Sequence, residues 1–222
     1  MDIIWREATI QDLEIIRSAL QLYDESFPYE VREPHEVFYQ SLQYQKDCFP
    51  NSFRFLIGIY NNKLCSFATA HYFANVNFGF IVYIVTDPSV RNAGLGSITL
   101  QKIDEILTKD AKKAGYDSLD GIALETEKEE MVKSEKERID CIKRNHFFEK
   151  NNYVQIDTIN HVQPPLRSED RAVPLNLFIR TYNNPLTNQL VKDIIGEIYK
   201  EKYQKVNNIP KDILEKCYKN IF

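Results

Sequence analysis

The sequence changes character abruptly at residue 87. Residues 78–87, FGFIVYIVTD, are almost entirely apolar and predict a buried strand. The next ten, PSVRNAGLGS (88–97), contain an arginine and two of the seven glycines of the chain. Apolar residues then recur at helical spacing from Leu95 to about Ala114. The chain is therefore predicted to pass from a strand, through a glycine loop, directly into a helix.

A loop of this kind is suited to binding an anion. The first N–H groups of a helix have no partner within the helix, and they lie at the positive end of its dipole. Gly94 and Gly96 let an anion come close to the backbone. The amides of residues 92–97 can thus converge on one group, with Arg91 adding positive charge, and a diphosphate suits that arrangement.

Two well-known phosphate loops are excluded by the residues present. A Walker loop requires Gly-Lys-Ser/Thr, whereas Gly96 is followed by Ser97 and Ile98. A Rossmann fingerprint requires a third glycine where this chain has Thr99. Chemistry alone therefore leaves several diphosphate compounds as candidates.

Composition and charge narrow the classes of partner. The 222 residues carry 28 Lys and Arg against 32 Asp and Glu, a net charge of -4, without the lysine-rich block typical of a nucleic-acid interface. The N-terminus does not resemble a signal peptide and no apolar run reaches the length of a membrane span, so no membrane partner is expected. Four scattered cysteines and four unclustered histidines favour a cytoplasmic protein without a metal site.

The pattern along the chain predicts the order β-α-α-β-β-β-α-β-α-β-β, and hence a mixed α/β domain. Thr9 with Asp12 is typical of a helix N-terminus, and residues 153–162 are predicted as one strand. Local signals also predict a tight hairpin at Asn61 and Asn62, a helix end at Gly115, and a capping box of Ser134 and Glu137. Near the C-terminus, Leu, Ile and Val recur at helical spacing. We therefore expect a domain at 1–186 and a helical extension at 187–222, which either packs on the domain or forms the interface of a homodimer.

The glycine loop is similar to the acyl-CoA loop of the GNAT-type N-acetyltransferase superfamily. The family pattern is [QR]-x-x-G-x-[GA], which Arg91, Gly94 and Gly96 match between the predicted strand and helix. Residues 145–154, NHFFEKNNYV, are similar to the family's F-Y-E-K-x-G-F segment. The resemblance covers about residues 2–182. It implies the GNAT fold, a mixed and mostly antiparallel sheet of six to seven strands flanked by helices, here with a C-terminal helical extension.

The resemblance also implies acetyl-CoA as co-substrate, and no metal. The thioester would lie in a V-shaped split between the fourth strand, FIVYIV, and the fifth, LDGIALE. The backbone of Ile84, Val85 and Thr86 would pair with the pantetheine arm. The pyrophosphate would be bound by the loop, at Arg91, Asn92, Ala93, Gly94, Leu95, Gly96 and Ser97.

By resemblance, few side chains carry the chemistry. An amine attacks a thioester only when neutral, and its ordinary pKa is about 10.4, so a base is needed. Glu125 lies where some family members have a catalytic glutamate and is the candidate base, with Glu127 as the alternative. The family tyrosine that protonates the CoA thiolate is replaced here by Phe148, which leaves Tyr83, Tyr153 or His146 as candidate acids.

The acceptor site is expected in part between the first two helices. This segment contains Glu25 and Glu30, whose charges favour a cationic amine, and Tyr29, which can stack against a substrate. The same acids can equally well face water. The resulting hypothesis is an N-acetyltransferase that moves an acetyl group from acetyl-CoA to a primary amine of a small molecule or peptide, by direct attack in a ternary complex. The alternative is a GNAT-like CoA-binding sensor or scaffold with weak or no catalysis, which Phe148 favours.

Overall fold

The computed structural model describes residues 2–90 and 94–222. The chain forms two compact units, Met1–Leu119 and Asp120–Phe222. The first unit contains β1 (Ile4–Glu7), α1 (Leu13–Ser26), a 3-10 turn (Tyr29–Val31), α2 (His35–Tyr44), β2 (Ser52–Tyr60), β3 (Lys63–Phe73), β4 (Phe78–Thr86), a second 3-10 turn (Pro88–Val90) and α3 (Leu95–Lys113).

The strands of the first unit pair in the order β1-β2-β3-β4, and each pair is antiparallel. The β2–β3 hairpin turns at Asn61 and Asn62, whose φ angles are 48° and 59°. Two central residues with positive φ are required by the turn type that matches strand twist, and asparagine tolerates this conformation. The hairpin expected at these residues is therefore present.

Strand β4 carries one residue more than its partner β3. Thr69 lies opposite Tyr83 and Ala70 lies opposite Ile81, so Val82 has no counterpart. Such a bulge bends a strand and increases its local twist. It comes two residues before Ile84, at the start of the segment expected to contact the cofactor.

Helix α1 packs its apolar face on this sheet. Ile16, Leu20 and Tyr23 are buried in a cluster with Phe38 of α2 and Phe67 of β3. The helix begins at Leu13, later than the Thr9 pattern predicts. The Thr9 backbone N–H and hydroxyl both donate to Asp12 Oδ2 at 2.8 Å, which makes a turn ahead of the helix and not its N-cap.

A buried ion pair joins α3 to β2. The Arg54 guanidinium donates to both oxygens of Asp110, at 2.7 and 2.5 Å, and Ser52 Oγ donates to Asp110 Oδ2 at 2.6 Å. Burial alone would lower the pKa of Arg54, but the hydrogen bonds and charge of Asp110 outweigh it and raise that pKa. The helix ends where predicted, since Gly115 follows its last residues with a φ of 99°.

The second unit combines strands with four helical segments among the described residues. These are β5 (Gly121–Glu127), α4 (Glu135–Lys150), β6 (Val154–Gln155), β7 (Val162–Gln163), β8 (Val173–Thr181), α5 (Asn188–Glu197), a π-helical segment (Ile198–Val206) and α6 (Lys211–Lys219), in addition to the turns between them. Strand β8 pairs antiparallel with β5, β6 and β7.

The strand predicted at 153–162 is instead two short strands, β6 and β7. Residues 157–159 form a turn between them. The polar sequence DTIN at 157–160 offers no apolar face to bury, which accounts for the interruption. The split raises the strand count from the expected six or seven to eight. Other local predictions are confirmed, including the capping box of Ser134 and Glu137 and the left-handed conformation of Asn152, at a φ of 65°.

The C-terminal extension, residues 187–222, packs within the second unit. Thr187 Oγ accepts a hydrogen bond from Leu190 N at 3.1 Å and so caps α5, which buries Val191, Ile194 and Ile195. Helix α6 contacts β7. The division of the chain at residue 186 stays a prediction, as does a homodimer.

All four cysteines are free thiols. Within residues 2–90 and 94–222, no helix is long and apolar enough to cross a membrane. In the same part of the chain, no group of three or more His, Cys, Asp and Glu side chains is arranged to hold a metal ion.

Candidate active site

The glycine loop leads into α3 as the sequence predicts. Gly94 is the N-cap of the helix, with a φ of 71°, and the first turn contains no acidic residue. No side chain caps this end of the helix, so the amides of Leu95, Gly96 and Ser97 are not occupied by an N-cap group. A Cβ added at Gly94 would meet no protein atom within 4 Å. These features fit a bound diphosphate, while Arg91, Asn92 and Ala93 lie outside the described residues.

Buried hydroxyl groups fix the start of α3 against the sheet. Thr99 Oγ1 donates to Leu95 O at 2.8 Å and lies 2.8 Å from Ser66 Oγ, which in turn donates to Val85 O at 2.7 Å. Both side chains are fully buried. The first turn of α3 and the β4 residues Ile84, Val85 and Thr86 are therefore held in a defined relation within the first unit.

Glu125 lies in β5 of the second unit and is bound by two neutral donors. Tyr203 Oη donates to Glu125 Oε2 at 2.8 Å, and His161 Nε2 lies 2.5 Å from Glu125 Oε1. The Glu125 side chain is 11% exposed and that of His161 is 1% exposed. Among the described residues, no Lys or Arg forms an ion pair with this carboxylate. A nearly buried carboxylate without a cationic partner is what a proton acceptor requires.

The surroundings of His161 indicate its tautomer. Its Nδ1 is buried and has no hydrogen-bond partner in the described part of the chain. A protonated Nδ1 would be a buried donor without an acceptor, which is costly. A neutral ring with its hydrogen on Nε2 can donate that hydrogen to Glu125, and it leaves no buried donor without an acceptor. Such a carboxylate–imidazole pair can hold and orient a proton.

Glu127 differs from Glu125 although both lie in the same strand. Glu127 forms an ion pair with Arg144 of α4. Phe148, where many family members have tyrosine, is 3% exposed and packs against the rings of Tyr153 and Phe178 at 5.8 and 6.1 Å. Phe148 is thus part of the core of the second unit and offers no proton.

Tyr83, a candidate acid, is buried within the first unit. Its hydroxyl donates to Val31 O at 3.1 Å, accepts from Glu33 N at 3.3 Å and lies 3.1 Å from the hydroxyl of Tyr23. Burial, together with the nearby charge of Glu33, raises the pKa of both tyrosines. These contacts give Tyr83 a structural task, fastening the segment before α2 to β4. Its action as an acid stays a prediction, without support from this geometry.

Removing this hydroxyl should cost stability. Tyr83→Phe leaves Val31 O and Glu33 N–H without a partner, so the free energy of unfolding should fall by about 1–3 kcal/mol. Tyr29→Phe is the control, since Tyr29 is 53% exposed and its loss should change stability by less than about 0.5 kcal/mol. Urea denaturation measures both. Equal, small effects would show that the Tyr83 hydroxyl does not hold this segment.

The residues expected to face the acceptor lie on the surface of the first unit. Glu25 is exposed and accepts a hydrogen bond from Gln21 at 3.2 Å. The Tyr29 ring lies 5.8 Å from the Arg32 guanidinium, and Glu30 is exposed. Their binding of an amine stays a prediction. None of the three is fixed by burial.

A pocket of about 510 Å³ opens in the second unit. Its lining includes Asn145 and Asn176, which are both bonded to Thr126 Oγ1, at 2.9 and 3.3 Å. Neither Glu125 nor its partners His161 and Tyr203 line this pocket. It is therefore separate from the carboxylate described above.

His161 and Tyr203 are absent from the residues predicted from sequence. They lie 36 and 78 positions from Glu125. No spacing rule connects side chains so far apart, and His161 falls in a segment predicted as uninterrupted strand. The histidine that the sequence does suggest, His146, is exposed and lies 3.3 Å from Glu149 of the same helix.

Comparison with known proteins gives a family match for the first part of the chain. Residues 16–123 match the sequence model described as the Acetyltransferase (GNAT) family. A search of curated proteins gives no match. The fold is similar to that of a protein described as a GNAT-family acetyltransferase from Bacteroides thetaiotaomicron, at 21% identity and a TM-score of 0.66, covering 90% of this chain and 98% of that one.

Two further solved structures support the same fold. The ribosomal-protein-S18-alanine N-acetyltransferase of Escherichia coli is 14% identical, with a TM-score of 0.55 over 84% of this chain and 98% of its own. The PaiA N-acetyltransferase of Thermoplasma acidophilum, solved in complex with coenzyme A, is 16% identical, with a TM-score of 0.52 over 82% of this chain and 100% of its own. The mixed α/β fold is thus the GNAT fold, and residues 16–123 match the GNAT acetyltransferase family.

Proposed function

We propose that the protein is an N-acetyltransferase that uses acetyl-CoA to acetylate a primary amine of a small molecule or peptide. Members of the family that it matches use acetyl-CoA, and one similar structure holds coenzyme A. The observation that carries the proposal is Glu125, a nearly buried carboxylate bound by His161 and Tyr203 and paired with no described cation. A binding module would not need such a group.

In this proposal, one set of residues binds acetyl-CoA and another accepts the proton of the acceptor amine. The amides of Leu95, Gly96 and Ser97 would bind the pyrophosphate, and the backbone of Ile84, Val85 and Thr86 the pantetheine arm. Acetyl-CoA supplies the acetyl group as a thioester, whose C–S bond breaks as the amide bond forms, with release of the CoA thiol. Glu125 takes one proton from the acceptor ammonium, since only the neutral amine is a nucleophile.

The donor site is tested by replacing the glycines of the loop. The double variant Gly94→Val/Gly96→Val should lose acetyl-CoA binding, because side chains would occupy the space in which a pyrophosphate approaches the backbone. No described protein atom lies within 4 Å of a Cβ at Gly94, so a side chain there meets no steric clash and adds only the backbone strain of a positive φ. Isothermal titration calorimetry with acetyl-CoA measures the effect, which should be at least about a hundredfold in Kd, as for loss of several hydrogen bonds to a charged group.

Gly115→Val is the matched control. Gly115 lies at the other end of α3, also with positive φ and no atom within 4 Å of an added Cβ. Its variant suffers comparable backbone strain, of about 1 kcal/mol, but should bind acetyl-CoA normally. Equal loss in both variants would mean that strain in α3, and not the loop, decides binding. No binding by folded wild-type protein would refute the proposed co-substrate.

Phe148 favours a second candidate, a CoA-binding sensor or scaffold. The buried phenylalanine removes the usual proton donor. A thiol has an ordinary pKa near 8.5, however, so CoA can leave as a thiolate without a general acid. Release of free CoA thiol in the presence of a panel of amines distinguishes the two functions. Tight binding of acetyl-CoA without turnover across that panel would favour the sensor.

A further inference from the structure

The C-terminal extension holds the chain on both sides of His161. The Asn160 N–H donates to Ile221 O at 3.1 Å, and Tyr199 Oη donates to Val162 O at 2.6 Å. His161 O itself accepts from Leu175 N of β8 at 3.1 Å. Three consecutive residues are thus fixed through their backbone, two of them by the extension. The His161 ring is held where it meets Glu125.

The extension also contacts the carboxylate directly. Tyr203, at 3% exposure, donates to Glu125 Oε2 from the π-helical segment, and its ring packs edge-on against Tyr199 at 5.5 Å. Burial and the nearby charge of Glu125 raise the pKa of Tyr199, whose hydroxyl donates to Val162 O. Packing alone would be served by apolar residues here. Burying a carboxylate beside a hydroxyl costs desolvation that only their mutual hydrogen bond offsets.

We propose that the C-terminal extension is a working part of the acetyl-transfer site, in which Tyr203 and His161 act as positioning residues that hold the Glu125 carboxylate in a fixed orientation. The inference rests on the proposed function of Glu125 as base. One donor occupies each carboxylate oxygen, and each oxygen retains a second lone pair for the proton of the acceptor amine.

The first test is Tyr203→Phe, which removes one oxygen atom and keeps the ring. The kcat for amine acetylation should fall by about tenfold to a hundredfold, as for loss of one hydrogen bond to a charged group. The KM for acetyl-CoA should not change. The groups facing Glu125 are His161, Tyr203 and Tyr199; with the Tyr203 donor removed, the carboxylate is oriented by His161 alone, so the loss should appear in kcat and not in KM.

Tyr218→Phe is the control within the same extension. Tyr218 packs against Tyr199 at 5.8 Å and donates to Lys192 O at 3.3 Å, but it does not contact Glu125. Its variant should keep kcat within twofold. Equal effects of the two variants would overturn the proposal and reduce Tyr203 to a packing residue. His161→Gln, which retains a side-chain N–H donor, should retain more activity than His161→Leu.

A measurement without turnover separates this inference from the proposed function. Nitrogen NMR of the imidazole rings should show His161 with a hydrogen on Nε2 and none on Nδ1, assigned by its loss in His161→Gln from the four histidines. Tyr203→Phe and Glu125→Gln should shift this Nε2 signal, and Tyr218→Phe should not. Shifts in the absence of any acetylation would refute the enzyme but keep the hydrogen-bonded unit. Acetylation without these shifts would refute the unit but keep the enzyme.

Discussion

Glu125→Gln should lower kcat/KM for amine acetylation by about 10²- to 10⁴-fold, the usual range for loss of a general base. Glutamine keeps the shape of the side chain, and its carbonyl oxygen can still accept a hydrogen bond from His161 or Tyr203. It cannot take a proton from the acceptor. The affinity for acetyl-CoA, measured by calorimetry, should stay within about twofold, since by the proposal the loop and β4 bind that molecule.

Glu127→Gln provides the comparison for this result. It replaces the other carboxylate of β5, which is neutralised by Arg144 in the structure. The expected loss of kcat/KM is therefore much smaller than for Glu125→Gln. A larger loss for Glu127→Gln would indicate that Glu127 is the base. Unchanged activity in both variants would show that neither glutamate of β5 acts as a general base.

Asp110→Ala should lower the free energy of unfolding by about 3–5 kcal/mol, the range for removal of one partner of a buried ion pair. The Asp110 side chain is 4% exposed and that of Arg54 is 16% exposed. Without the carboxylate, the hydroxyl of Ser52 loses its acceptor, and the guanidinium of Arg54 keeps only its bond to Glu7 at 3.1 Å. Because this contact joins α3 to β2, its loss weakens the attachment of the helix that carries the glycine loop. Chemical denaturation measures the effect.

Two further variants show whether the buried charge causes this loss. Glu105→Ala removes a carboxylate from the same helix, but one whose pair with Lys102 is exposed, and should cost no more than about 0.5 kcal/mol. The double variant Arg54→Met/Asp110→Leu replaces both charges by apolar groups and should recover most of the stability lost in Asp110→Ala. A double variant as unstable as the single one would contradict this account.

Predictions from local backbone chemistry agree with the structure. Asn61, Asn62, Asn152 and Gly115 are all found with the positive φ that their turns require, because that requirement depends on neighbours a few residues away. The strand-to-helix loop is also found as predicted, with Gly94 at a positive φ as the N-cap of α3. Thr9 was assigned wrongly because its bonds to Asp12 serve a turn as well as they serve a helix N-cap.

The immediate surroundings of Glu125 could not be predicted in this way. The glutamate itself was found through the family resemblance, but its partners come from two distant segments. His161 lies after an interruption in a predicted strand, and Tyr203 lies in a helical stripe whose pattern indicates only packing. Long-range contacts of this kind depend on how strands and helices assemble, and the hydrophobic periodicity of the sequence does not predict them.

The bulge at Val82 determines which of the following β4 side chains point to each face of the sheet. Paired residues of neighbouring strands point to the same face, so Phe80 opposite His71 and Tyr83 opposite Thr69 share one side of the sheet despite their odd separation. In an unbroken ladder, Val82 would lie opposite Thr69 and Tyr83 would turn to the other side of the sheet. The bulge likewise determines which edge of the strand the backbone N–H and C=O groups of residues 84–86 face. The unpaired Val82 thus places Tyr83 where its hydroxyl fastens the segment before α2. It also determines which backbone groups β4 would present to the pantetheine arm in the proposed function.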